Sequence, residues 1–284
     1  VLIVGCGNIA GKFDEGSSFN DLPLTHAGAF SKDSRYNIST CIDPDFNKRS
    51  EFAKRWSVPN HVECIDELSS LSGSFDVISI CSPTEYHGTD MDTSLTLKPK
   101  LIFCEKPVTN SVVTTAKLVA ECDKQKVFCA VNYSRRWDPA IHRLKEDIRL
   151  GRRGKLRSVV GIYSKGLLNN GSHMLDLLML LLGPLGIVYV GRPSYDWFPN
   201  DPSIPVWLET ESNIPINISC GNANDYSFFE VQFVFDSGVL VMEDGGISWR
   251  ERKIIKSSTF EGYHNLDVGV FKEGAYKKSM TQAL

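Results

Sequence analysis

Three things are missing from this chain: a run able to cross a membrane, a C-x-x-C pair, and an excess of basic charge. Its longest apolar run, Met174 to Leu182, is interrupted by Asp176 and falls short of the ~20 residues a bilayer span needs. Lys and Arg number 31 against 34 Asp and Glu, a net charge of −3. Neither nucleic acid nor an anionic membrane therefore has an electrostatic case as a partner. No internal repeat and no low-complexity segment interrupts the 284 residues, enough for two domains with their own cores. No cationic, apolar leader precedes Val1, so a cytoplasmic protein is expected. The chain opens inside a strand, so a few further residues are expected before it.

The eight cysteines (Cys6, Cys41, Cys64, Cys81, Cys104, Cys122, Cys129 and Cys220) lack zinc-type spacing. Several lie in apolar strand-like runs, which favours reduced, buried thiols. Cys6, Cys41, Cys81 and Cys104 fall near the carboxyl ends of expected parallel strands, the one arrangement in which a metal site would have been conceivable; no metal is expected.

What is present begins at the first residues. Val1 to Val4 reads as a short buried strand. Gly5-Cys6-Gly7-Asn8-Ile9-Ala10 then forms a G-x-G-x-x-A pattern. Gly5 permits a tight turn, Gly7 lets the backbone approach a pyrophosphate, and Ala10 keeps the following helix close to the strand. Asn8 and Ile9 complete the loop, and the helix start offers N–H groups to an anion.

Strands and helices then alternate for about 130 residues, as in a doubly wound parallel sheet. Lys12 to Pro23 reads as an inserted loop before a helix at Thr25 to Ser31. A strand over Tyr36 to Ile42 ends at Asp43, where a carboxylate accepts bonds from the adenosine ribose. Asp43 lies further from the glycines than the usual ~20 residues, and the insert accounts for the excess. Its charge repels a 2′-phosphate, so NAD is favoured; Lys48 and Arg49 close by keep NADP open. Asp43 also suits the cap of a helix at Asp45 to Trp56. A short helix is expected over Asp66 to Leu71. Further strands end at Cys81, Cys104 and Val131. They lead into Ser82-Pro83-Thr84 with His87, into Glu105-Lys106-Pro107, and into Asn132-Tyr133-Ser134-Arg135-Arg136-Trp137. Asn110 to Lys124 has helical spacing, with Val113, Ala116, Leu118, Val119 and Ala120 as its apolar side. A boundary is expected near residue 133, giving a dinucleotide-binding domain over 1–133. The domain over 134–284 reads as α+β: an apolar helix at Ser172 to Leu182, then strands with hairpin turns at Asp236-Ser237-Gly238 and Asp244-Gly245-Gly246. Its sheet is expected to pair subunits into a homo-oligomer.

These features coincide with Gly171-Ser172-His173 and Asp176, and together they resemble the glucose–fructose oxidoreductase, inositol dehydrogenase and rhizopine-catabolism family (Gfo/Idh/MocA). The Glu-Lys-Pro after the fifth strand is more specific than the glycines. The resemblance implies a Rossmann domain followed by a domain on an open, mostly antiparallel sheet. It also implies oxidation or reduction of a sugar or cyclitol hydroxyl with NAD(P). Members usually run somewhat longer, so the end after Met280 is expected to be incomplete.

The same resemblance places Lys106 near the nicotinamide, where a cation stabilises a developing alkoxide. Glu105 either pairs with it or lines the nicotinamide side, and Pro107 can follow a cis peptide. Ser82, Pro83, Thr84 and His87 are expected to line the cofactor, His87 either touching it or capping its helix. His173 is the expected proton carrier, since its ordinary pKa of ~6.5 suits exchange near neutrality. Asp176, one turn on, either orients the imidazole, bonds to backbone or caps the helix. Tyr133, Arg136 and Trp137 are expected at the substrate, by charge or stacking; the alternative is domain packing. Lys165, Asn169 and Asn170 are expected to face the same crevice. Related dehydrogenases commonly carry an aspartate where this chain has Asn169, and an amide cannot accept a proton as a base. The expected function is thus NAD(P)-dependent hydride transfer on a sugar, sugar nucleotide or cyclitol. A non-catalytic NAD(H)-binding sensor or scaffold is the alternative, and an NAD-dependent glycosidase a third. His26, His61, His142 and His264 carry no assignment.

Overall fold

In the computed structural model the described residues are 1–18, 21–70 and 74–284. They divide into two units, Val1–Tyr133 together with Met280–Leu284, and Ser134–Ser279. The expected second domain ran to the last residue, whereas the tail returns to the first. Met280 is buried there, and the Asn132 side-chain amide donates to its sulfur at 3.4 Å. Tyr36 and Arg35 donate to the carbonyl oxygen of Leu284.

The first unit alternates strand and helix: β1 (Leu2–Val4), α1 (His26–Lys32), β2 (Thr40–Ile42), α2 (Phe46–Trp56), β3 (Asn60–Val62), β4 (Val77–Ile80), α3 (Thr84–Thr96), β5 (Leu101–Cys104), α4 (Val112–Gln125) and β6 (Phe128–Val131). All strands are parallel, in the order β3-β2-β1-β4-β5-β6. β1 is flanked by β2 and β4, in register Leu2↔Thr40 and Leu2↔Ile78. The chain therefore reverses direction of winding between β1 and β4, the position at which open α/β sheets bind ligands. Leu2, Ile78, Ile80 and Ile102 have no exposed surface, as expected of strands covered on both faces. α4 buries Leu118 and Cys122, not the wider face expected: Val113 is 65% exposed. A 3₁₀ helix at Ile65–Ser70 stands where a short helix was expected; Leu71 lies outside the described residues, as do Phe19 and Asn20 of the insert.

The insert interrupts a helix. Gly7 to Ala10 make a first turn, with Gly11 N donating to Gly7 O at 3.2 Å. His26 N then donates to Ile9 O at 3.1 Å and Ala27 N to Ala10 O at 2.8 Å. α1 therefore takes up the hydrogen bonding of the turn as if the residues between were spliced out. Buried Asp14 closes the excursion by accepting from Leu24 N, Thr25 N and Thr25 Oγ1. Thr25 in turn caps α1 through Gly28 N.

The second unit opens with a 3₁₀ turn at Ser134–Trp137. It continues through α5 (Pro139–Arg149), β7 (Leu156–Tyr163), a single π-helical segment at Gly166–Gly171 and α6 (Ser172–Leu182). The strands that follow are β8 (Leu185–Val190), β9 (Ser194–Phe198), β10 (Asp201–Ser203), β11 (Val206–Thr210), β12 (Pro215–Cys220), β13 (Phe229–Phe235), β14 (Gly238–Glu243), β15 (Ser248–Lys256), β16 (His264–Leu266) and β17 (Val270–Glu273). The main sheet runs β16-β15-β14-β13-β7-β12-β11-β8, with β17 also on β15. It is antiparallel except where β12 lies parallel to β7. β13 alternates buried and half-buried residues along its whole length, the pattern of a sheet with one covered face. α5 and α6 supply the cover through Ile141, Leu144, Met174, Leu177 and Leu178 against Val159, Ile218 and Phe233. β9 and β10 form a separate two-stranded ribbon.

Candidate functional site

In the first unit the site follows from what happens past the ends of β1, β2, β4, β5 and β6. Gly5 adopts φ +87°, and a Cβ there would lie 2.6 Å from Ser82 N. Gly5 is thus required both by its backbone conformation and by the approach of the β4 loop. Gly7 differs: a Cβ on it meets no atom within 4 Å. It faces open space in front of the turn, the cradle that a pyrophosphate needs. Ala10 is fully buried and Asn8 exposed, with Ile9 between them in exposure.

Asp43 braces this turn. Its Oδ2 accepts from Cys6 N at 2.9 Å and its Oδ1 from Asp45 N at 2.9 Å. The cap of α2 is Asp45, whose Oδ1 accepts from Asn47 N and Lys48 N; the capping role considered for Asp43 belongs to its neighbour. With the insert removed from the count, Asp43 stands close to the usual ~20 residues from the glycines. Gly5, Asp43, Pro44, Cys64, Ser82, Pro83 and Tyr86 line a cavity of about 510 Å³, within the range of cofactor sites. A second hollow of about 270 Å³ takes in Gly7, Asn8, Lys12, Lys48 and Arg55. Lys48 lines both. The residues present therefore fit a dinucleotide: a glycine cradle, an acceptor at the end of β2, and an apolar-walled space beside them.

Pro83 and Thr84 start α3. Ser82 Oγ donates to Asp90, whose carboxyl burial pushes up from its ordinary value. His87 does not point at a ligand. It is 1% exposed, its Nδ1 lies 2.8 Å from Pro107 O and its Nε2 2.7 Å from Ser82 O. It is a strut joining the loop after β4 to the loop after β5, and this replaces the expected cofactor contact. The Lys106–Pro107 peptide is cis.

Glu105 is held from three sides. His26 Nε2 lies 2.8 Å from its Oε1, Asn132 Nδ2 donates to the same oxygen at 2.7 Å, and Lys106 N lies 3.3 Å from its Oε2. Burial pushes Glu105 up, but the His26 hydrogen bond and charge and the Asn132 amide bring it below the usual carboxylate value. His26 and Asn132 carried no assignment as partners of Glu105 in the sequence. Tyr133 ends this unit, half-buried.

In the second unit, the predicted substrate residues gather around the π-helical segment. Lys165 precedes it at φ +75°, and its amide donates to Asp196 Oδ2 at 2.7 Å. Asp196, 1% exposed, also accepts from Ser203 Oγ and Ala223 N. Asp201 accepts from Leu168 N and Asn169 N. Asn169 Nδ2 donates to Lys165 O at 3.1 Å and Asn170 Nδ2 to Ser164 O at 2.9 Å. The Lys165 ammonium lies 4.7 Å from the centroid of the half-exposed Trp197 ring. His173 sits in the first turn of α6, half-buried. Asp176 receives Arg136. Arg136 Nε lies 2.9 Å from each of its oxygens, and a terminal nitrogen lies 2.7 Å from Oδ1. Arg136 therefore ties the 3₁₀ turn to α6, and the substrate clamp expected of it gives way to that role. Arg135 is buried over the Phe229 ring. Trp137 is half-buried. Asp196, Trp197 and Asp201 went unnoticed in the sequence, where Tyr195 to Pro202 carries no motif.

All eight cysteines are free. A Cys41 hydrogen bond and burial push the Cys6 thiol up, and burial does the same to Cys104. Among the described residues no group of three or more His, Cys, Asp or Glu could hold a metal, and no helix is long and apolar enough to cross a membrane.

Residues 1–133 match the model of an oxidoreductase family described by its NAD-binding Rossmann fold. The chain is 38% identical over 104 residues to an uncharacterized oxidoreductase, YrbE, of Bacillus subtilis, covering 36% of this chain and 30% of that protein. It is 36% identical over 127 residues to the scyllo-inositol 2-dehydrogenase (NAD(+)) of the same organism, covering 44% of this chain and 35% of the relative. The matched segments thus span about a third of these relatives. The fold is that of a crystal structure of a putative NADPH-dependent oxidoreductase from Desulfitobacterium hafniense. The TM-score is 0.77 at 18% identity, over 98% of this chain and 84% of that one. Residues 1–133 are thus similar to the NAD-binding Rossmann domain of the Gfo/Idh/MocA oxidoreductases, and the fold of the whole chain is shared with the solved oxidoreductase.

Proposed function

We propose that the chain is an NAD(P)-dependent oxidoreductase acting on a hydroxyl-bearing carbon of a sugar, sugar nucleotide or cyclitol. The observation that carries this reading is the glycine turn braced by Asp43 beside the 510 Å³ cavity, at the switch point of a parallel sheet. The inositol dehydrogenase relative supports the substrate class. The dinucleotide, when bound, accepts or returns the hydride.

Gly5, Gly7, Asn8, Ile9 and Ala10 would hold its pyrophosphate, and Asp43 its adenosine ribose, which favours NAD. Ser82, Pro83 and Thr84 would flank it. Lys48, which lines both hollows, is the cation available to a 2′-phosphate, so NADP remains open. Lys106 supplies a positive charge that stabilises the substrate alkoxide. His173 takes or returns the hydroxyl proton. Lys165, with the Trp197 ring beneath its ammonium, and the amides of Asn169 and Asn170 orient hydroxyl groups; Tyr133 and Trp137 offer rings for stacking.

Titration with NADH and NADPH by fluorescence tests the cofactor half; no binding of either at millimolar concentration refutes it. For chemistry, Lys106→Ala should abolish turnover while cofactor affinity stays within about threefold, ~0.7 kcal/mol. Retained turnover removes the lysine from the mechanism. One observation favours a second reading, a binding protein without turnover. Asn169 stands where related dehydrogenases carry an acid, and its amide is bonded to Lys165 O. That reading expects NADH binding with no turnover across sugars, cyclitols and sugar nucleotides, and no gain from Asn169→Asp. The catalytic reading expects turnover in the native chain.

A further inference from the structure

Among the described residues of the first unit, the most deeply buried ion pair lies outside the residues that would touch substrate. His26, the first residue of α1, has no exposed surface. Its Nε2 lies 2.8 Å from Glu105 Oε1 and its Nδ1 2.7 Å from Ser79 Oγ. Its ring packs against Phe103 at 4.9 Å between centroids. Asn132 completes the set through Glu105 Oε1. Four elements therefore converge on the His26–Glu105 pair: the start of α1, the body of β4 through Ser79 on His26, the end of β5 and the end of β6. Ile9 O and Ala10 O, accepting from His26 N and Ala27 N, dock the first turn of α1 directly behind the glycine loop.

A carboxylate this buried is unfavourable unless it is paired and hydrogen-bonded. Glu105 is also the residue before Lys106, and its second oxygen faces the Lys106 amide. We infer that His26 is a positioning residue for Lys106: as an imidazolium it keeps Glu105 ionised and fixed, and Glu105 sets the place and the charge environment of the lysine at the end of β5. This rests on the reading of Lys106 given above.

The titratable groups that face His26 are Glu105 after β5 and Cys81 after β4. Lys106 stands beyond Glu105, and Asp14 accepts from Thr25, the residue immediately before His26. Burial alone would strip the proton from His26; Cys81 and Glu105 beside it outweigh burial and push the imidazole up to about 10. Such a group stays charged throughout the neutral range, so it works as a fixed charge rather than as a proton carrier.

Histidine-selective NMR on the full chain tests this without any substrate. One imidazole signal, absent from His26→Gln, should stay doubly protonated from pH 6 to pH 9. The ε-methylene signal of Lys106, identified by its loss in Lys106→Ala, should move in His26→Gln. A His26 signal that titrates near 6.5, or a Lys106 signal unmoved by His26→Gln, overturns the inference. If His26→Gln does not fold, Glu105→Gln takes its place, and an unmoved Lys106 signal there overturns it equally. Where a substrate is found, kcat of His26→Gln should fall about tenfold more at pH 6 than at pH 9. The reason is that a Glu105 without its cation takes up a proton on the acid side. KM for NADH should stay within twofold. A pH profile parallel to that of the native enzyme would mark His26 as merely structural. Absence of turnover in the native chain would refute the oxidoreductase reading and leave the NMR result to decide this one.

Discussion

Replacing Asp43 separates its bracing of the glycine turn from the ribose contact proposed for it. The carboxylate accepts two backbone hydrogen bonds at 2.9 Å, from Cys6 N and Asp45 N. It is 8% exposed and Cys6 is 6% exposed. A hydrogen bond to a charged group is worth about 1.5–3 kcal/mol, and a buried donor left alone forfeits most of that. Water can reach Asp45 N more readily than Cys6 N, because Asp45 is exposed. Asp43→Ala should then destabilise folding by about 3 kcal/mol, most of it from the orphaned Cys6 amide. Asp43→Asn should do little better. An amide accepts through one oxygen, so its NH₂ would meet one of the two N–H groups head on. Urea unfolding should show a lower midpoint with an unchanged slope. In the same proteins, NADPH affinity relative to NADH should rise at least ~10-fold in Asp43→Ala, about 1.4 kcal/mol, once the repelling charge is gone. If both variants unfold at the native midpoint, Asp43 is not a brace. If the affinity ratio stays put, its carboxylate does not read the ribose.

Asp43 was legible because the strand-like residues of β2 end at Ile42 and a carboxylate follows at once. The same holds for the ends of β5 at Cys104 and β6 at Val131 and for α6 (Ser172–Leu182), where the sequence pattern and the structure agree. Long apolar runs between polar or Gly flanks mark such elements locally. What could not be read is what joins distant residues. His26 meets Glu105 across 79 positions, and Arg136 meets Asp176 across 40. Nothing near either residue announces its partner. The splice that carries α1 past the insert is of the same kind: a composition rich in Gly and Ser reveals a loop, but not that Ile9 O and Ala10 O wait at its far end. His87 shows the opposite error. Its place in a motif suggested a ligand, while both of its ring nitrogens are taken up by backbone carbonyls that pin two loops together. The glycine turn and the Asp43 that braces it were thus legible from motif. His26 and Asn132, which hold Glu105, and Asp196 and Asp201, which hold Lys165 to Asn169, required the fold.

Two further outcomes are expected. Cys64 is the one exposed thiol among the eight cysteines and lines the Asp43 cavity, so alkylation should modify it first, and saturating NADH should slow that reaction at least ~5-fold, about 1 kcal/mol of occupancy; equal rates with and without NADH would place the cofactor elsewhere. Asp196 bears on the second unit. Burial alone would raise its carboxyl, but the Lys165 amide, the Ser203 hydroxyl and the Ala223 amide overcome this and hold it below the ordinary 3.8. A depressed folded value means that the unfolded chain binds the proton more readily, so the stabilisation is complete above about pH 4 and is lost as pH falls through the folded value. Asp196→Asn should therefore be less stable than the native chain at pH 7 by about 2 kcal/mol, with the gap closing on the acid side of 3.8; a gap that is constant from pH 7 to pH 3 would show that the amide and hydroxyl donors do not depend on the charge.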